Sequence, residues 1–189
     1  MADEHFDLVD ENNIPTGKQA LRSVAHATGL WHRTVHIYVF RETNGEIEFL
    51  VHLRSAHKDL HPNCWDTRFG GHIKSGETVE EGVISEMKEE LGIDISLSDL
   101  IEGGWEKSNT YPNCEFSKVY YLGYDKPTES LSFNDGEVQR IQWLLKGGVL
   151  HSMLKDPQKW SGSKEGFEAV SQFLEKKLAQ SGAINKPLL

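Results

Sequence analysis

The stretch GGHIKSGETVEEGVISEMKEELGI, from Gly70 to Ile93, constrains this chain more than any other. A glycine-rich loop runs into a short helix, and Gly92 stops it. Thr78 and Glu81 have the spacing of a capping box. Val79, Val83, Ile84, Met87 and Leu91 recur with helical period and predict one apolar arc. Beside that arc lie Glu86 and Glu90, with Glu89 further round. Carboxylates at i, i+3 and i+4 repel one another, so their gathering favours a cation among them. A hard divalent ion with oxygen ligands suits such a face. An amphipathic helix whose solvated side happens to be acidic has the same pattern. Gly82 shares the glutamate face and would let a loop or ligand come close.

The spacing reaches beyond the helix. Gly71, Glu77, Glu86, Met87, Glu89, Glu90, Gly92 and Ile93 fill eight of the nine specified positions of G-x5-E-x7-R-E-U-x-E-E-x-G-U, where U is aliphatic. This resembles the signature of the Nudix hydrolase family. The departure is Ser85, where the family has Arg. The resemblance implies an α/β fold, an α/β/α sandwich around a mixed β-sheet, over a single domain spanning 1–189. It would carry an N-terminal extension over 1–30 and a C-terminal helix over about 163–180.

The wider chain fits that frame. With 189 residues there is enough chain for one domain with a sizeable core. No run of apolar residues is long enough to span a membrane, and the acidic start MADEHFDLVDENN has no apolar h-region. A net charge of −9 argues against a nucleic-acid partner, which would call for a basic face. It leaves room for a small phosphorylated substrate held through Mg²⁺. Cys64 and Cys114 suggest no disulfide framework or metal-binding CxxC, and point to free thiols in a reducing, cytoplasmic setting.

Strands are predicted at 5–9, 32–40, 46–53, 65–69, 99–107, 115–122 and 138–145, with turn clusters at ENNIPTG and ETNG. Phe167, Val170, Phe173, Leu174 and Leu178 form a helical stripe from Ser163 to about Gln180. This order, strands with helices for both faces of a mixed sheet, suits the same sandwich.

By resemblance, the chain cleaves a diphosphate linked to a further group. Glu86, Glu89 and Glu90 would be the ligands of Mg²⁺ or Mn²⁺, with the Gly70 carbonyl as another. Gly71, Glu77 and Gly92 would be structural positions of the motif. The base would be Glu86 or a carboxylate outside the motif, such as Glu137 just before the last strand. Glu137 also reads as a solvated loop carboxylate. The family's Arg partners Glu77, and Ser85 cannot make that bidentate pair. Another cation, Arg68 being near in sequence, would have to take over.

The flanking segments PTGKQALRSVAHATGLWHRTVHIYVF and FLVHLRSAHKDLHPNCWDTRFGGHIKSGE resemble the branch of the family related to type I isopentenyl-diphosphate isomerase. There, His residues placed like His26, His32 and His72, with a Glu placed like Glu115, form a second metal site. Histidines on strands that bond locally would look the same. The isomerase's catalytic Cys falls on Gly70, which has no proton to exchange, so isomerase activity is disfavoured. Arg22, Arg54 and Lys58 match the cations that grip the diphosphate, although each alone reads as a surface cation. Trp31, Trp65 and Trp105 could wall a pocket. Two readings stay open: a diphosphohydrolase acting on a nucleoside diphosphate derivative or on a prenyl- or thiamine-type diphosphate, and a nucleotide-sensing module of the same fold. Dimers are common for such folds.

Overall fold

The computed structural model describes residues 4–181 apart from 59, 112, 134 and 135. An N-terminal hairpin pairs β1 (His5–Val9) with β2 (Pro15–Leu21) and leads into a short α1 (Arg22–Thr28). The main sheet contains β3 (His32–Thr43), β4 (Glu46–Arg54), β5 (Trp65–Asp66), β6 (Leu100–Thr110), β7 (Asn113–Gly123) and β8 (Val138–Leu145). Three helices complete it: α2 (Val79–Leu91), α3 (Lys146–Lys155) and α4 (Lys164–Ser181). The sheet runs β5-β4-β3-β7-β6, and β8 adds to the other side of β4. Among the described strands only β3 and β7 pair in parallel, which makes the sheet mixed.

Alternation along β3 divides the core. Val35, Ile37 and Val39 face α2 and pack with Val83, Met87 and Leu91. Tyr38 and Phe40 face the other way and pack with Val149 and Met153 of α3 and with Phe167, Val170 and Leu174 of α4. Period-2 strands with helices on both faces give the α/β/α sandwich.

Several expectations change. The predicted strand 65–69 is a regular ladder only at Trp65–Asp66. Beyond it the chain is wedged against β3 by single bridges, Ile37 with Phe69 and Thr34 with His72. The glycines interrupt the ladder there: Gly70 has φ +117°, outside the range of a strand. The turn at ENNIPTG closes by Ile14, because Asp10 accepts from the Asn12 and Ile14 amides and frees Pro15 to begin β2. Ile84 belongs to the solvent side of α2, at 37% exposure. Neither α1 nor α3 was legible: both lack a side-chain N-cap, and α3 opens with Lys146-Gly147-Gly148.

The N-terminal hairpin is stitched onto the rest. The Val9 amide donates to the Trp31 carbonyl and the Ser75 amide to that of His5. Asp7 accepts from the Ser75 hydroxyl and the Gly76 amide, which fixes the loop that feeds α2.

Candidate active site and histidine cluster

The α2 loop forms as the sequence implies. The Thr78–Glu81 capping box closes in both directions, and Gly92 ends the helix with φ +68°. Glu90 is buried, at 7% exposure, and its Oε2 accepts from the Gly70 amide at 2.6 Å. Glu86 lies against Gly71 so closely that a Cβ there would meet both carboxylate oxygens at 2.9 Å. A side chain at 71 would therefore displace the acid. Burial, and then the Glu89 charge, push the Glu86 carboxyl up to about 8. Burial and the Glu86 charge raise Glu90 well above the usual carboxylate range. Gly82 is closed over by Ile73 of the loop, so a loop and not a ligand uses the gap.

Glu89 is half exposed, and Lys74 Nζ reaches its Oε1 at 3.2 Å, beside the Ser85 hydroxyl at 3.0 Å. The Lys74 amide donates to Glu77 at 3.1 Å. Arg68 does not take over the missing arginine's place, because Asp66 holds it at 2.9 Å. The cation at this face is Lys74, whose ammonium contacts Glu89 and lies in the field of Glu77 and Glu86. Its position four residues into the loop gave no sequence signal.

Glu137 is no free loop carboxylate. It ion-pairs with Lys58, its carbonyl accepts from Ser55, and its charge is felt by both Glu86 and Glu90. Lys58 in turn acts on Glu90. Arg54 bonds Asp66 at 3.4 Å and donates to the Leu60 carbonyl at 3.0 Å. The three tryptophans share no pocket wall: Trp31 packs on Phe116, Trp105 lies under Arg33, and Trp65 faces Trp160.

On the other side of the loop the histidines converge. Parallel register sets His32 directly opposite Glu115, the bridge at Thr34 brings in His72, and α1 supplies His26. One ligand atom from each of the four lies within 4.8 Å of the others. His26 Nε2 is 3.3 Å from His32 Nε2 and 3.1 Å from His72 Nε2, and Glu115 Oε1 is 3.6 and 3.7 Å from the latter two. Phe6, wholly buried, stacks on His32 and His72 at 4.8 and 4.7 Å and roofs the group. Burial, with the neighbouring imidazoles, takes His26 down to about 4, and burial also lowers His72. Burial would raise the Glu115 carboxyl, but bonds from His32 and His72 hold it well below the usual range. Three imidazoles around a carboxylate make a chemically apt donor set for a transition metal.

The tautomers are uneven. His32 Nδ1 meets the Leu30 carbonyl at 2.8 Å, so it is a donor, and Nε2 is the atom turned to the cluster. His72 Nδ1 meets Arg22 Nη1 at 3.2 Å, and an arginine only donates. His72 Nε2 therefore carries the hydrogen in this arrangement, and a metal there would require Arg22 to leave. Arg22 also pairs with Glu4 at 3.1 Å.

Known proteins agree with this geometry. The model of the NUDIX domain matches residues 30–161. An uncharacterized Nudix hydrolase of Clostridium acetobutylicum is 34% identical over 142 residues, 73% of this chain and 68% of its own. An isopentenyl-diphosphate Delta-isomerase of Escherichia coli is 29% identical over 164 residues, covering 86% of this chain and 87% of its own. Among solved structures, DR0079 from Deinococcus radiodurans superposes with a TM-score of 0.71 at 25% identity, covering 89% of this chain and 98% of its own. Loop, acidic helix, sheet order and kinship coincide: the chain belongs to the Nudix hydrolase family.

Proposed function

We propose that this chain is a divalent-metal-dependent hydrolase that cleaves the diphosphate bond of a small organic or nucleoside diphosphate. The observation that carries the reading is the buried Glu90 and half-buried Glu86 together beside Gly70 and Gly71, with carboxyls raised by desolvation and mutual repulsion. Such a pair is costly without a partner cation. Glu86, Glu90 and the Gly70 carbonyl would hold Mg²⁺ or Mn²⁺, with Glu89 at the rim. When bound, the ion neutralises charge on the phosphoryl oxygens and makes coordinated water more acidic.

The chain's own groups do the rest. Lys58 and Arg54 present positive charge to the diphosphate, and Arg22 does so from the histidine side. Glu137, released from Lys58 when a phosphate takes that lysine, accepts the proton of the attacking water. Gly70 offers the reacting centre no side chain. Moreover, a Cβ there would lie 2.3 Å from the Val35 carbonyl oxygen, which speaks against isomerase chemistry through a residue at this position. The histidine cluster would hold a second ion, Zn²⁺ or Mn²⁺. No described helix is long and apolar enough to cross a membrane, and the two unpaired cysteines fit a reducing cytoplasm.

The test is phosphate release from a panel of nucleoside and organic diphosphates, with Mg²⁺ and with chelator. Metal-dependent turnover is expected. Tight, metal-independent binding of one compound with no turnover of any would replace the hydrolase with a sensor.

A further inference from the structure

Successive side chains of a strand point to opposite faces, and β1 uses its two faces differently. Phe6 lies over the imidazoles. Asp7, the next residue, turns to the loop that feeds α2. Residues Lys74 to Glu77 make a tight turn there, closed by the Glu77 amide on the Lys74 carbonyl at 3.0 Å. Gly76 has φ +86°, as a type II turn demands at its third position. The two inner amides of that turn still need acceptors.

β1 supplies both. The Ser75 amide donates to the His5 carbonyl at 2.7 Å, and the Gly76 amide donates to Asp7 Oδ2 at 2.9 Å. The Ser75 hydroxyl donates to Asp7 Oδ1 at 2.7 Å, and Gln19 of β2 donates to the same oxygen at 3.0 Å. Asp7 is exposed, so its place is not explained by core packing. The Gly76 amide, and then the Ser75 hydroxyl, hold its carboxyl below the ordinary value, which favours the charged acceptor. Among the described residues, the bonds of Ser75 and Gly76 to anything outside the loop are those to His5 and Asp7.

The turn carries Lys74, whose ammonium reaches Glu89 Oε1 at 3.2 Å. The residue before it is pinned to β3, because the Ile73 amide donates to the Arg33 carbonyl at 3.0 Å. Beyond that pin, the course of the turn decides where the lysine points. Asp7 bonds the loop and its own hairpin and none of the α2 acids, so its influence on Glu89 passes through Lys74.

We propose that Asp7 is a positioning residue of the hydrolytic site, a clasp from the N-terminal hairpin that holds the Lys74–Glu77 turn and so keeps Lys74 at Glu89. The proposal rests on the hydrolase reading for what Lys74 serves.

The experiment compares Asp7→Ala, Asp7→Asn, Lys74→Ala and the double alanine variant in the full chain. Amide hydrogen exchange is read first, since it needs no turnover. In Asp7→Ala the Ser75 and Gly76 amides should exchange about tenfold faster or more, while the Val9 amide, bonded to the Trp31 carbonyl, keeps its rate and shows the hairpin still docked. Asparagine can accept from Gly76 and bond Ser75, so Asp7→Asn should restore the protection. Next is kcat for phosphate release from ADP and from geranyl diphosphate with Mg²⁺. Asp7→Ala should lose about five- to tenfold and Asp7→Asn less than about twofold. The double variant should fall no more than about twofold below Lys74→Ala, because both changes remove one device. Unchanged exchange at Ser75 and Gly76 in Asp7→Ala, or losses that multiply in the double variant, would overturn the proposal. The two readings part here: faster exchange with no hydrolysis by the parent protein sinks the hydrolase alone, and hydrolysis with multiplying losses sinks the clasp alone.

Discussion

Gly71 and His72 are neighbours in the chain, yet the first gives onto the α2 carboxylates and the second onto the imidazole cluster. On the carboxylate side, a buried Glu90 and a half-buried Glu86 disfavour each other's charge, and both carboxyls are raised. On the imidazole side, three rings surround one carboxylate that their bonds hold well below its usual range. The first cluster is in deficit until a cation arrives, whereas the second is comfortable without one. Catalytic demand should follow the deficit.

The sharpest way to break that contrast is to remove one side chain from each cluster. Glu90→Gln should lower turnover by about a hundredfold or more with the fold kept, and His72→Ala by no more than about tenfold. Steady-state phosphate release, with circular dichroism as the check on folding, decides it. An equal loss in both variants would mean that the imidazole cluster is as central as the acids.

Next is pH. Glu86 is raised in the folded state from 4.5 to about 8. The folded chain therefore holds that proton more tightly than the unfolded one. The associated stability is present below about pH 4.5 and is lost as pH rises toward 8. Mg²⁺ needs the ionised form, so the rise in Tm that it brings should be larger at pH 8 than at pH 6 by several degrees. Glu86→Gln should weaken that pH trend, leaving the share due to buried Glu90, and raise the metal-free Tm at pH 8. Differential scanning calorimetry with and without Mg²⁺ reads both.

The loop cation gives a smaller effect. Lys74→Ala should cut kcat by about tenfold, because Glu89 loses its ammonium partner and Glu77 and Glu86 lose a nearby positive charge. Ser85→Arg is tolerated alone and should restore most of that loss in the double variant. No rescue would mean that Lys74 acts elsewhere. Smallest is the tautomer effect: Arg22→Gln frees His72 Nδ1 and should tighten Zn²⁺ or Mn²⁺ at the imidazole cluster by about three- to tenfold, read by metal titration against a chromophoric chelator.

Much of this could be read from local order. The capping box, the buried arc of α2 and the boundaries of β1 and β8 are set by residues a few positions apart, and they stand where periodicity placed them. The identity of the cation at the carboxylates was not legible, because Lys74 and Arg68 are equivalent in sequence and only the sheet decides which is already taken by Asp66. The same holds for Phe6 over the imidazoles and for Asp7 against the loop, whose partners are far away along the chain. The histidine set came from likeness to a known family, and strand register then explained its assembly.

One glycine has a historical consequence. At Gly70, φ is +117° and any β-carbon would be driven into the neighbouring strand's backbone. A thiol cannot be dropped in by changing one codon, since the wedge between β3 and β4 would have to be re-laid first. Descent between a proton-shuffling relative and a water-using one thus passes through the path of the main chain, and reversing it by point mutation should yield a misfit before it yields an isomerase.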